Sequence, residues 1–328
     1  MLQNDKIPVI IIFAPTATGK TALALDFFGT GSHSFFKGKG ELISADSMQV
    51  YRKLDVGTAK PTLLERQSLP HHLVDILNYD EQFTVSDFVR EADSLCRDIY
   101  SRKKIPLIVG GTAFYIKNFL YGQAETPQSD PLLREKLKER MEKEGKESLY
   151  NELKTVDPVS AEKININDEF RIIRALEIFY LTGKSRSQFD EKKSLRQEYD
   201  FLTIILTRER ASLYRRIEER VDLMFEEGLK EEVYSLYRQG AKAWMPGMKA
   251  IGYREWFDYL EKEEENPQII EKIKRDIKHS SKKYAKKQYT IMKDIPQAIY
   301  VSMDDKEEAY SKILKMTGDF LEKYGISS

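Results

Sequence analysis

The sequence predicts an α/β fold on a parallel sheet, interrupted by a wholly helical insertion. Three observations carry this. Apolar, β-branched runs alternate with helical patterns through the first 110 residues or so, which implies parallel strands joined by right-handed crossovers. From about Pro131 to Thr182 the pattern is helical and rich in Lys, Glu and Leu, with no buried strand. A buried-strand pattern then returns at Phe201–Leu206. The expected organisation is a core from residues 1–125 and 201–328, with a helical insertion over 126–200.

Residues 7–13 (Ile-Pro-Val-Ile-Ile-Ile-Phe) are apolar on both faces, as a parallel strand covered by helices must be. Residues 20–28 follow as a helix, and Glu41–Ala45 as a second short strand. A helix is expected from Ser86, its N-cap, to about Ser101. A third strand spans Ile105–Val109 and ends at Gly110-Gly111. Beyond the insertion, residues 210–238 read as helical. Ile217, Val221, Met224 and Phe225 share one face, and Leu229, Val233 and Leu236 continue it. Asn266-Pro267 opens a helix over 268–293. Ala298–Val301 is a last strand, and a closing helix begins near Lys306. The charge run Glu261–Glu265 reads as a solvated helix end.

Composition narrows the class. Of 328 residues, 41% are hydrophobic and 32% charged, which describes a globular chain. Lys plus Arg and Asp plus Glu both number 53, so the net charge is zero and a uniformly basic binder is excluded. The single cysteine, Cys96, excludes an intramolecular disulfide and a cysteine-rich zinc site. Residues 1–6 lack a signal-peptide n-region, and the apolar run Ile7–Ala14 is too short to span a membrane. A cytoplasmic monomer without membrane attachment is the expectation.

Charge is nevertheless distributed unevenly. Residues 272–293 hold nine basic side chains against one acidic, Asp276, with Tyr284 and Tyr289 interleaved. Arg275, Lys278, Lys282 and Lys286 fall near one helix face, which suits an RNA backbone. The insertion carries 15 basic and 16 acidic residues, so it is no simple electrostatic clamp.

The first strand runs into Ala14-Pro15-Thr16-Ala17-Thr18-Gly19-Lys20-Thr21 and then a helix. The phosphate-loop pattern G-x-x-x-x-G-K-[ST] fits except that Ala14 replaces the first glycine. Backbone N–H groups of such a loop cradle phosphate oxygens, and the helix N-terminus adds positive potential. Lys20 adds a full charge, and Thr21 offers a hydroxyl to Mg²⁺. Ala14 is comfortable there only at negative φ, which is expected. Arg216 and Arg220 lie one turn apart and share a face, so they either add charge to a diphosphate pocket or pair with Glu218 and Glu219. Lys60 is a similar case.

Four further segments stand in order along the chain: Leu42-Ile43-Ser44-Ala45-Asp46-Ser47-Met48-Gln49-Val50-Tyr51, Gly57-Thr58-Ala59-Lys60-Pro61, Val109-Gly110-Gly111-Thr112-Ala113-Phe114-Tyr115 and Met248-Lys249-Ala250-Ile251-Gly252-Tyr253-Arg254-Glu255. With the phosphate loop, they make the chain resemble the tRNA dimethylallyltransferases of bacterial type, over roughly residues 7–295. The resemblance implies a P-loop kinase-like α/β core with an inserted all-helical domain that grips the tRNA anticodon stem. It implies transfer of a dimethylallyl group from its diphosphate to the exocyclic amine of the adenosine just 3′ of the anticodon, in tRNAs reading codons that begin with U. Such loops often carry a nucleotide-binding or ATP-binding label; in this family's chemistry the loop holds the prenyl donor's diphosphate.

The residue roles implied by the resemblance follow the motifs. Asp46 resembles the general base, and Thr112 the threonine at the reaction centre. Residues 14–21 and Arg220 hold the diphosphate, with Mg²⁺ at Thr21. Asp46, Ser47, Met48 and Gln49 meet the target base, which must be flipped out of the loop. Arg134, the segment Phe170-Arg171-Ile172-Ile173-Arg174 and the segment Met248–Glu255 match tRNA-contacting positions, although Ile172 and Ile173 also fit a core face. Gly252 permits close backbone approach. The rival reading is an adenylate isopentenyltransferase acting on free AMP, ADP or ATP. A small-metabolite kinase is more distant, and a pure RNA-binding module would leave the phosphate loop unexplained. His33, His71, His72 and His279 show no metal-ligand spacing beyond the adjacent pair.

Overall fold

A computed structural model describes residues 6–124, 126–189, 194–262, 266–293, 295 and 297–326. The strands are β1 (Ile7–Phe13), β2 (Gly40–Ala45), β3 (His71–His72), β4 (Ile105–Gly110), β5 (Tyr199–Thr207) and β6 (Ile299–Ser302). The helices, in chain order, are α1 (Lys20–Phe28), α2 (Leu63–Ser68), α3 (Val85–Ser101), α4 (Ala113–Tyr121), α5 (Pro131–Glu144), α6 (Lys146–Val156), α7 (Pro158–Lys163), α8 (Glu169–Thr182), α9 (Arg210–Glu226), α10 (Leu229–Arg238), α11 (Phe257–Leu260), α12 (Pro267–Met292) and α13 (Lys306–Glu322). They form two compact units, Met1–Leu120 with Arg196–Ser328, and Tyr121–Leu195.

The first unit is built on one sheet in the order β3-β2-β4-β1-β5-β6, every neighbouring pair parallel. Its central strands are buried on both faces, which is why they read as continuous apolar runs. Register decides where the site lies. Gly110 at the end of β4 pairs with Phe13 of β1 on one side and Ala45 of β2 on the other. The loops leaving these three strands therefore emerge together at the carboxyl edge, where open α/β sheets place ligands. A side chain at position 110 would stand 2.1 Å from the Ala45 carbonyl oxygen, so glycine is required for this three-strand approach.

Several boundaries differ from the sequence expectation. Thr84, not Ser86, caps α3: its hydroxyl accepts from the Asp87 amide while Asp87 reaches back to the Thr84 amide. The 210–238 helix is two helices, broken at Gly228 with φ +96°. β3 is a two-residue strand beside Leu42 and Ile43, too short to leave a hydrophobic pattern. The second unit begins and ends about five residues earlier than the 126–200 reading, because Tyr199 and Asp200 already pair with Ile7 and Pro8 in the sheet. Residues 1–5 and the Glu263–Glu265 part of the charge run lie outside the described residues, while Glu261 and Lys262 are exposed.

The second unit is a helical bundle, α5 to α8, around Leu137, Met141, Leu149, Leu153, Ile172 and Leu176. Asp130, Asp157 and Asp168 cap α5, α7 and α8, with proline opening the first two. Gly183 ends α8 at φ +68°. Glu177 is fully buried in this unit, and it accepts from Arg134 at 3.1 Å, Arg174 at 2.6 Å, the Ser129 hydroxyl and the Asp130 amide. Its carboxyl is held below the usual range because these donors outweigh the burial that opposes them.

Candidate active site

The 14–21 loop leaves β1 and turns into α1. Ala14 is fully buried, and its amide donates to Gly110 O at 3.3 Å. Positive φ in the loop falls on Ala17 (61°) and Gly19 (109°), not on Ala14, so the missing glycine costs no backbone strain. Gly19 caps α1 without a side-chain acceptor, so the first-turn amides are left for another partner. Lys20 folds back along the loop and donates to the carbonyls of Ala14 (3.1 Å) and Pro15 (3.0 Å). Burial lowers its pKa to about 8, against the opposing pull of Asp46; Arg220 lowers it further. From outside, Arg208 donates to Thr18 O at 3.2 Å and Arg216 to Ala17 O at 2.9 Å. The Thr18 hydroxyl is buried without a hydrogen-bond partner among the described residues.

Beside this loop lies a cavity of about 300 Å³. Lys20, Thr21, Thr16, Asp46, Ser47, Met48, Gln49 and Arg220 line it, and Leu42, Val109, Ile217, Val221, Met224 and Ile277 make its walls apolar. A cavity that sets apolar walls against convergent polar groups is a usual form of a ligand site. Asp46 follows β2 and accepts from the Met48 amide at 2.9 Å, which fixes its side chain in a local turn. Thr112 is not among the lining residues. Its hydroxyl accepts from the Ser47 amide at 3.0 Å and stands 3.3 Å from the Ser47 hydroxyl. Thr112 thus orients the Asp46-Ser47 turn. Tyr284 on α12 lines the cavity too, and burial and the Asp46 carboxylate push its phenol up to about 12.

Arg220 enters from α9 and donates to Thr58 O at 3.3 Å. Burial lowers its pKa, against Asp46. Of the two readings open for the α9 arginines, this favours the cavity for Arg220; Arg216 is not among the lining residues. Glu218 instead pairs with Lys282. For Lys60 the pairing reading holds: its side chain is 2% exposed and bound to Asp55, Asp75 and Tyr51 O, so it holds the 57–61 turn and is not among the residues lining the cavity. Gln49 is also engaged, through Ser44 and the carbonyls of Thr58 and Ala59.

The Met248–Glu255 segment divides. Lys249, Ala250, Ile251 and Arg254 line the cavity. Met248 and Tyr253 are fully buried and present no surface to RNA; Tyr253 donates to Glu232 at 2.5 Å and fills the space over Gly57. Glu255 accepts from the Gly252 amide at 2.9 Å. Gly252 has φ +102°, and its backbone runs against that of Gly57.

In the helical unit, Phe170 is 68% exposed with the Arg134 guanidinium over its ring at 5.4 Å, and Arg171 is exposed. Ile172 and Ile173 lie in the hydrophobic core and, contrary to the motif expectation, present no surface to RNA. Arg174 is committed to Glu177 and Pro127 O. On α12 the basic run is partly neutralised from within, since Lys274 and Lys278 pair with Asp222 and Lys282 with Glu218. Lys272, Arg275, Lys283, Lys286 and Lys287 remain exposed.

Sequence reasoning missed Gln288, Arg208 and His71. Gln288 is buried on α12 between the 14–21 loop and Gly111, and His71 lines the cavity from β3. A glutamine inside a lysine-rich helix and a histidine in a two-residue strand carry no pattern of their own.

A family model described as IPP transferase matches residues 49–294. The chain belongs to that family. IPP transferases are prenyl-transferring enzymes, and the parallel-sheet core is shared with solved members. The tRNA dimethylallyltransferase 2 of Geotalea uraniireducens (strain Rf4) is 45% identical over 288 residues, 88% of this chain and 89% of its own. The tRNA dimethylallyltransferase of Bacillus cereus (strain B4264) is 40% identical, covering 96% and 95%. The full-length tRNA isopentenylpyrophosphate transferase from Bacillus halodurans superposes with a TM-score of 0.69 at 35% identity, covering 97% of this chain and 98% of its own. A eukaryotic dimethylallyltransferase acting on tRNA gives 0.78 at 27%, covering 96% and 80%.

Proposed function

We propose that this IPP transferase moves a dimethylallyl group from dimethylallyl diphosphate to the exocyclic amine of an adenosine in tRNA, the residue 3′-adjacent to the anticodon in tRNAs reading codons that begin with U. The observation that carries this is one cavity in which a carboxylate, Asp46, faces the Lys20 and Arg220 cations between apolar walls. The relatives' names supply tRNA as the acceptor and dimethylallyl as the group moved.

The donor's diphosphate lies along the phosphate loop, on the free first-turn amides of α1, with Lys20 and Arg220 beside it. The five-carbon group rests against Ile217, Val221 and Met224. The flipped adenine enters past Met48 and Arg254. Its amine, a weak nucleophile because the lone pair is delocalised into the ring, attacks the allylic carbon. The bond from that carbon to the diphosphate oxygen breaks, and the amine proton passes to Asp46. Lys20, Arg220 and the loop amides offset the charge that gathers on the departing oxygens. The donor set fits Mg²⁺ carried in with the diphosphate rather than held in a protein cage: Thr21 lines the cavity, and no cluster of three acidic, His or Cys ligands occurs among the described residues. Such an ion would add positive charge at the phosphate oxygens. Phe170 and Arg171 of the helical unit, and the exposed cations of α12, are the groups proposed to meet the RNA backbone and bases. No helix among the described residues is long and apolar enough to cross a membrane.

The test uses labelled dimethylallyl diphosphate, Mg²⁺ and unmodified tRNA, with nuclease mapping of the labelled nucleotide. Label at the adenosine 3′ of the anticodon supports the reading. Label in free AMP or ATP would replace it with the adenylate reading.

A further inference from the structure

Gln288 is 2% exposed, although its neighbours on α12, Lys286 and Lys287, face solvent. Its carboxamide bridges two loops that come from different strands. Nε2 donates to Gly111 O at 2.6 Å, and Oε1 accepts from the Thr16 amide at 3.3 Å. A primary amide is one of the few side chains that can donate and accept at once, and both capacities are used here. The fit leaves no slack: a side chain on Gly111 would lie 2.4 Å from Gln288 Nε2. One turn earlier on the same face, Ala285 packs on Leu213 and Ile217 of α9, with Ala17 of the loop against the cluster. Packing of α12 alone would be served by a leucine or methionine, without burying an amide.

We propose that Gln288 is a positioning residue for the prenyl transfer, setting the phosphate loop against the Gly110-Gly111-Thr112 turn. The connection continues beyond Gly111. Thr112 holds the Ser47 amide, and Ser47 is next to Asp46. One amide therefore links the loop under the leaving diphosphate to the turn carrying the base. Reactions between two bound groups are steep in their separation, so a looser link lowers turnover more than it weakens binding. The inference rests on the donor-site reading above.

The experiment compares Gln288→Met and Gln288→Glu with wild type in the full-length chain. The readouts are kcat, KM for dimethylallyl diphosphate and for tRNA, and unfolding temperature from pH 6 to 8.5. Methionine keeps the length and loses both hydrogen bonds. A protonated glutamic acid restores one donor and one acceptor, whereas an ionised one sets a negative charge against Gly111 O. Lys20, Asp46, His71, Arg220 and Tyr284 line the same cavity in both enzymes, so the ratio of variant to wild type isolates position 288. The expected result is a kcat at least tenfold lower for Gln288→Met, with KM for tRNA within twofold. For Gln288→Glu, the variant-to-wild-type ratio should climb as pH falls at a temperature where both are folded. If Gln288→Met does not fold, the Gln288→Glu ratio decides alone. A kcat within twofold of wild type in folded Gln288→Met, or a flat Gln288→Glu ratio, would overturn the role while leaving the donor reading intact. Wild type that fails to transfer the label would overturn the donor reading and the role with it.

Discussion

The two units use the same cations in opposite ways. In the sheet unit, Lys20 and Arg220 hydrogen-bond to backbone carbonyls and face a cavity, where the proposed diphosphate would meet their charge. In the helical unit, Arg134 and Arg174 converge on Glu177, a carboxylate with no exposure, and their charge is spent inside the protein. An arginine in a sequence motif is therefore ambiguous until the partner carboxylate is located. Changes around the first group are expected to act on turnover, and changes around the second on stability.

The largest effect is expected at Lys20. Lys20→Met should lower kcat by on the order of 10²–10³-fold, as for loss of other charge-stabilising donors. The pH dependence sharpens this. Because burial lowers the Lys20 pKa to about 8, the ammonium is charged below that pH and lost above it. In wild type, kcat/KM for the donor should fall as pH rises through about 8, and Lys20→Arg should move that limb upward. An unshifted limb in Lys20→Arg would assign it to another group. Asp46→Asn comes next, with turnover down by roughly 10²–10⁴-fold and tRNA binding by filter retention unchanged.

Glu177→Leu tests the other half of the comparison. It strands two arginines and should destabilise the helical unit by about 3–5 kcal/mol in urea unfolding, as removal of one partner from a buried pair does. Retained stability would mean that the arginines find water instead. Glu41 gives a milder effect of known sign. Arg102, with His72, holds its carboxyl down to about 2 against burial. The stability it contributes is present above its unfolded pKa, near 4.5, and is lost as pH falls toward about 2. Acid titration of Glu41→Gln should show a shallower decline across that window than wild type. Smallest of all, Lys286→Ala on the exposed face of α12 should weaken tRNA binding modestly and reduce the log–log salt slope by about 1.

What the sequence disclosed follows the same division. Strands buried on both faces announce themselves by composition, which is why Ile7–Phe13 and the phosphate loop after it were legible to the residue. Asp46 was legible because a motif places it just past a strand end. The function of individual polar side chains was not, because it depends on partners far away in the chain. Lys60 and Arg220 sit in comparable motifs, yet one closes on Asp55 and Asp75 and the other opens on the cavity. Met248 and Tyr253 share a segment with Lys249 and Arg254 but point into the core. Gln288 bonds to residues 272 and 177 positions away, a relation no local pattern encodes.

The most direct test of the central claim, that the Asp46 and Lys20 cavity joins a prenyl diphosphate to a tRNA adenosine, is single-turnover transfer of labelled dimethylallyl to unmodified tRNA by wild type, Asp46→Asn and Lys20→Met. The account predicts rapid labelling of one anticodon-loop adenosine by wild type and near-complete loss in both variants, with tRNA still bound. Full transfer by either variant, or transfer by wild type to free nucleotide in preference to tRNA, would contradict it.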